Sequence, residues 1–165
     1  MSRYSIQKKR KFSKFTLKLK MKAAILLIII LVFFTGCGHL KSKEEIKNEI
    51  YLTEKAFEKM TSEKGISEAF YYFADENAVI KRENDTLILG KENIRIYYEK
   101  KGLKDAKVNW TPDFIDVSKS GDLGYTYGKY IWKIKDIDGN FVEYKGVFHT
   151  VWKRQKDNGW KYVWD

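Results

Sequence analysis

His149 is the only imidazole in the chain beyond Lys43, so any histidine-based proton transfer there depends on it. The carboxylates with a comparable role open to them are Asp113, Asp116 and Asp122, near the ends of predicted strands, and Glu54, on a predicted helix. A carboxylate buried in an apolar site would hold its proton to a higher pH and act as a base. Each candidate also has a plainer role. Asp122 lies in a Ser-Gly-Asp turn and Asp113 follows Pro112, positions that turn chemistry accounts for. His149 shares its strand face with Val147 and Val151, the setting of a packed or edge histidine. No residue is therefore assigned to catalysis, and His149, Asp122 and Asp113 stand as weak candidates.

Other chemistries lack their residues. The sequence has no G-x-S-x-G, no phosphate-binding glycine loop and no paired metal-ligand spacing, so neither a metal nor a cofactor is expected. "DIDGN" lacks the remaining ligands of a calcium loop and reads as a hairpin turn. Aromatic residues, by contrast, crowd the second half of the chain. Trp110, Tyr127, Tyr130 and Trp152, with Thr126 and Gly128, are the candidates for an apolar pocket with hydroxyl handles, open to a small apolar ligand. Gly124 and Gly128 flank Thr126 on one strand face, which permits either sheet bending or room for a ligand.

These side chains must be positioned by an α+β arrangement. From Glu44, Ile46, Ile50, Phe57 and Met60 recur at helical spacing on one face, with Ala56 beside them. A second, shorter helix is expected over "SEAFYYFADEN", capped by Ser67 with Ala69, Phe70 and Phe73 inward. "AVIKRENDTLILG" reads as a hairpin around Asn84-Asp85, and Lys91 to Lys101 as a third helix closed by Gly102. Four β-rich runs follow, separated by Ser-Gly, Asp-Gly and Asn-Gly, and predict an antiparallel meander with Trp160–Trp164 beside the strand of Trp152. If Asp138-Gly139 is a two-residue turn, His149 pairs with Gly128; a bulge moves it to Tyr127. Alternation places aromatic side chains on both sheet faces and leaves open which face lines the pocket. Those on the outer face suggest a partner surface, including a homodimer through the sheet.

The chain carries a net charge of +10 over 165 residues. Nine of its basic residues lie in Met1–Lys22 with no acid among them, and residues 23–36 carry no charge, so ten minus nine leaves +1 for residues 37–165. The basic balance belongs to the leader, and a nucleic-acid partner is set aside. "AAILLIIILVFF" is too short to span a bilayer as a helix but has the length of a signal-peptide apolar region. It ends in Phe34-Thr35-Gly36-Cys37, which resembles a bacterial lipobox, with Phe34 where leucine is usual. The expectation is a lipoprotein signal peptide over 1–36, with Met21 a second candidate start. Lipid attachment is then at Cys37, followed by a tether over 37–43 and a domain over 44–165. That places the protein at a bacterial cell envelope, bound to a membrane through its N-terminal lipid and facing the periplasm or exterior. The sequons at Asn84 and Asn109 are incidental in such a protein. With no second cysteine, the domain must be held by its core.

The succession "GISEAFYYFADENAVI", "LILGKENIRIYY", "W-x-P", "SGDLGYTYGKY" and "W…Q…GWKYVWD" resembles the nuclear transport factor 2-like superfamily, in particular SnoaL-like domains of bacterial lipoproteins. The resemblance covers roughly Lys43 to Asp165. It implies a cone, in which a bent antiparallel sheet wraps three N-terminal helices around a pocket at the open end. The superfamily includes ketosteroid isomerases, dehydratases and cyclases, whose cones hold an Asp or His base with a tyrosine or second acid, and members with no chemistry. The expected function is a non-catalytic small-molecule-binding or protein-interaction domain. The alternative is a SnoaL-like or ketosteroid-isomerase-like enzyme acting on a small apolar substrate.

Overall fold

The computed structural model describes residues 41–165, which form one compact unit. Cys37, His39 and the expected signal segment lie outside the described residues.

Helix α1 (Lys43–Glu63) opens on a capping box: the Ser42 hydroxyl accepts from the Glu45 backbone N–H, and the Ser42 N–H donates to the Glu45 carboxylate. Its inward stripe is Ile46, Ile50, Glu54, Phe57 and Thr61, an apolar ridge with a carboxylate in its middle. Gly65, at a φ of 93° that side chains rarely adopt, turns the chain into α2 (Ile66–Phe73). Ile66, Ala69, Phe70 and Phe73 of α2 are buried, while Ser67, the expected cap, lies inside the helix and donates to the Arg95 carbonyl.

Strand β1 (Ala74–Arg82) begins where the second helix was expected to continue through Asn77. Asp and Asn compete with the helical backbone for hydrogen bonds, and here Asp75 accepts from the Asn77 N–H. A short turn at Glu83–Asp85 leads to β2 (Thr86–Leu89) and completes the expected hairpin, with Asn84 and Asp85 both at positive φ. Helix α3 (Lys91–Lys100) buries Ile94 and Tyr98, and Gly102 follows it at positive φ.

The meander runs through β3 (Lys107–Val117), β4 (Leu123–Lys135), β5 (Phe141–Arg154) and β6 (Trp160–Trp164). β6 pairs with the end of β5 that carries Trp152, as the short Asn158-Gly159 connection requires. The six strands form one sheet in the order β2-β1-β6-β5-β4-β3. Its β1–β6 junction is parallel, joining the first hairpin to the last strand of the meander. Hairpin signals, which report only neighbours in sequence, carry no information about that junction.

Between β4 and β5 the turn is longer than two residues. Asp136 and Asn140 close it, the Asp136 side chain accepts from the N–H groups of Asp138 and Asn140, and Gly139 takes a φ of 84°. The resulting register pairs Tyr127 with His149 and Thr126 with Thr150. Thr126, Tyr130, Trp132, Phe148, Thr150 and Trp152 therefore face the helices, and Tyr125, Tyr127, Val147 and His149 face away. Phe57 is the hub of the core, with the rings of Phe70, Phe73, Trp110 and Tyr162 all within 5.9 Å of it, centroid to centroid.

Candidate functional site

The inner sheet face and the three helices enclose a cavity of about 790 Å³. Glu54 sits at its floor. The helical period that buries Ile50 and Phe57 carries the residue between them inward as well, so Glu54 is only 1% exposed. Three donors from three strands meet it. Trp110 Nε1 of β3 donates to Oε2 at 2.7 Å, Trp152 Nε1 of β5 donates to Oε1 at 2.9 Å, and the Thr126 hydroxyl of β4 donates to the same Oε1. None of the three carries a charge, and among the described residues no ion pair forms at Glu54. Burial pushes its carboxyl up from the usual 4.5 to about 7; Thr126, Trp110 and Trp152 restrain that rise, and the Asp165 carboxylate adds to it. An indole can only donate, so Thr126 is the one partner able to reverse its hydrogen bond when Glu54 is protonated.

A second polar group occupies another part of the cavity wall. Arg82, at the end of β1, donates through Nε to the Tyr98 hydroxyl at 2.9 Å and through Nη2 to Asp165 Oδ1 at 2.7 Å. Thr150 donates to Asp165 Oδ2 at 3.0 Å. Arg82 Nη1 is taken by the carbonyls of Lys81 and Asp165. Burial works to lower the guanidinium's pKa, but Tyr98 and Asp165 more than reverse it, and burial pushes the Tyr98 phenol up. Nearer the rim, Glu83 accepts from Tyr97 and Lys101, which hold its carboxyl below the usual range. Most of the remaining lining is aromatic or aliphatic, including Phe57, Phe70, Trp110, Tyr130, Trp132 and Phe148.

Of the predicted pocket residues, Trp110 and Tyr130 line the cavity, and Trp152 and Thr126 lie directly behind it as ligands of Glu54. Tyr127 does not belong there: it projects from the outer face and stacks on Phe114 with ring centroids 5.1 Å apart. Gly128 makes no room for a ligand either. A Cβ on it would stand 2.2 Å from the Thr111 carbonyl oxygen and 2.9 Å from the Asp113 nitrogen, so its bareness lets the β3 bulge close against β4.

The weak catalytic candidates are dispersed. His149 pairs with Tyr127 on the outer side of the sheet, its ring 6.0 Å from that of Tyr125, and it also borders the cavity. Asp122 is exposed and accepts from the Ser118 and Ser120 hydroxyls, Ser120 first among the contacts that hold its carboxyl low. Asp113 is exposed at the bulge, and Asp116 pairs with Lys43. Among the described residues, no three His, Cys, Asp or Glu side chains converge to hold a metal ion.

Sequence reading raised Glu54 only as a helical carboxylate. Its signal was the seven-residue step from Ile50 to Phe57, which an i+4 residue must fill. Arg82, Tyr98, Thr150 and Asp165 were missed, since nothing local marks residues that meet across four elements.

Solved structures match this architecture. A nuclear transport factor 2-like superfamily protein of Salmonella enterica superposes with a TM-score of 0.60 at 14% identity, over 73% of this chain and 88% of its own. The chain has the nuclear transport factor 2-like fold. A ketosteroid isomerase-like protein of Erwinia carotovora gives 0.61 at 10% identity, covering 73% of this chain and 92% of that one. A protein of Novosphingobium aromaticivorans, described as nuclear transport factor 2-like with a cystatin-like fold, gives 0.60 at 15% identity over 73% and 79%. No family model and no curated protein matches the sequence. The nuclear transport factor 2-like fold accommodates ligand binders and enzymes alike, so function must be argued from the cavity.

Proposed function

We propose that this is a non-catalytic small-molecule-binding domain, held at a bacterial envelope membrane by lipid on Cys37. The observation that carries the binding reading is the cavity itself: about 790 Å³ of mainly aromatic and aliphatic lining, enough for a drug-sized ligand. Its polar groups are bonded to one another, as a rigid preformed wall requires. The anchoring rests on the lipobox-like Phe34-Thr35-Gly36-Cys37 after a short apolar run. Native mass spectrometry of the protein purified from membranes tests both parts. The expected result is a mature chain beginning at acylated Cys37 with a small molecule retained. Leu103→Trp, which enlarges a lining side chain into the cavity, should release that molecule. An unacylated leader overturns the anchoring, and no retained or added molecule with either form overturns the binding.

One observation favours the enzymatic alternative: a carboxyl facing the cone with its pKa near neutrality, within hydrogen-bond reach of a hydroxyl. Turnover of a small apolar carbonyl compound that Glu54→Gln abolishes would establish it. On the outer face, the exposed row of Phe114, Leu123, Tyr125 and Tyr127 supports pairing of two copies through the sheet. Sedimentation of Tyr127→Lys against the parent chain tests that contact, a monomeric parent being the adverse result.

A further inference from the structure

We propose that the cavity selects a hydrophobic organic cation, an ammonium group on an apolar body, whose charge is matched by Glu54 and by the faces of the surrounding rings. This rests on the binding reading above and specifies its ligand class.

The charged groups in the lining pair off except at Glu54. Arg82 is neutralised by Asp165 at 2.7 Å, Lys101 pairs with Glu83, and Lys81 pairs with Asp85. Among the described residues, Glu54 is the one lining carboxylate with no cationic partner. An anionic ligand would need donors, and those of Arg82 are already taken by Tyr98, Asp165 and two backbone carbonyls. A cation needs none: it gains from the negative ring faces of Phe57, Phe70, Trp110, Tyr130 and Trp132. Arg82 already uses this surface, its guanidinium carbon lying 5.5 Å from the Phe70 ring centroid and 5.6 Å from that of Tyr98. In an apolar cavity an unmatched carboxylate repels anions and favours cations more strongly than it would in water.

Proton linkage follows, because only ionised Glu54 attracts the ligand. The groups around it are Trp110 of β3, Thr126 of β4, Trp152 of β5 and Asp165 after β6, with the Arg82–Tyr98 contact of β1 and α3 across the cavity. On its own helix, Lys55 is committed to Glu58 and the Trp110 carbonyl.

The test is isothermal titration calorimetry of the full chain in detergent with three probes that share a phenyl body. They are benzyltrimethylammonium, its uncharged carbon isostere neopentylbenzene, and phenylacetate. Above pH 7 the ammonium should bind about tenfold more tightly than the isostere, with phenylacetate weakest. That gap should shrink as pH falls through about 7, where Glu54 takes up its proton. Glu54→Gln should close it at every pH, and Asp122→Asn, altering an exposed turn outside the cavity, should leave it in place. Should Glu54→Gln fail to fold, the pH dependence of the parent chain decides alone. Equal binding of ammonium and isostere above pH 7, or tightest binding of phenylacetate, overturns the cation inference and leaves the binding reading standing. Failure of all three probes to bind also overturns the cation inference, while the binding reading is decided separately by whether the purified chain retains a small molecule.

Discussion

The cavity holds two buried polar groups built on opposite principles. At Arg82–Asp165, a charge is removed from water and met by an opposite charge, with Tyr98 and Thr150 filling the remaining hydrogen-bond positions. At Glu54, a carboxyl is removed from water and met only by neutral donors. The counter-charge keeps Arg82 ionised at any accessible pH, whereas three neutral donors only partly offset the desolvation of Glu54. The first group is a fixed part of the wall, and the second is poised to titrate.

The strongest challenge to this contrast is the pH dependence of folding. Glu54 holds its proton more tightly in the folded chain than in the unfolded one, so folding takes up a proton between pH 4.5 and about 7. Stability should fall as pH rises through that window, by on the order of 3 kcal/mol, and level off above it. Urea unfolding of the parent chain and of Glu54→Gln checks this: the variant should lack the decline. An equal decline in both would assign it to other groups and erase the distinction.

A smaller loss is expected at the compensated group. Arg82→Met leaves Asp165 without its counter-charge and should cost about 2 kcal/mol, discounted from a fully buried pair because both side chains keep some exposure. The same urea experiment reads it, and a cost below that of an ordinary surface substitution would show the pair to be incidental.

Thr126→Val sharpens the contrast from the other side. It removes one donor to Glu54 with little change of shape, and should cost about 1 kcal/mol. Because the Thr126 hydrogen bond restrains the Glu54 pKa, its loss should also move the midpoint of the stability decline to higher pH. An unmoved midpoint would mean that the hydroxyl does not stabilise the ionised form. Asp122→Asn, exposed and held by two serine hydroxyls in a turn, should leave both the decline and the melting temperature unchanged.

Much of the scaffold was legible because its signals are local. The Ile46–Ile50–Phe57 spacing, the buried face of α2 and the Gly and Asn turn positions each report on residues a few steps apart, and each element formed close to its expected place. Two local readings were displaced. Ser67 yielded the start of α2 to Gly65, whose positive φ ends one helix and admits the next. The Asp138-Gly139 turn lengthened to Asp136–Asn140, shifting the register that places Tyr127 and His149 outside and Thr126 inside. A one-residue shift of register thus decided which set of aromatic residues could meet a ligand.

Periodicity, turn residues and composition, all properties of neighbouring residues, determined by themselves three helices, a curved meander and an aromatic second half. The excess of basic residues in 1–22 was equally plain there. Only the tertiary structure decided that Trp110, Thr126 and Trp152, from three strands, converge on one carboxyl of α1, and that Asp165 closes on Arg82 across more than eighty residues. The parallel β1–β6 junction brings those last two together. The physical reason is that desolvation and charge pairing depend on distances through space. A glutamate in an apolar stripe declares that it will be buried, but what it meets there is set by the register of strands packed against it.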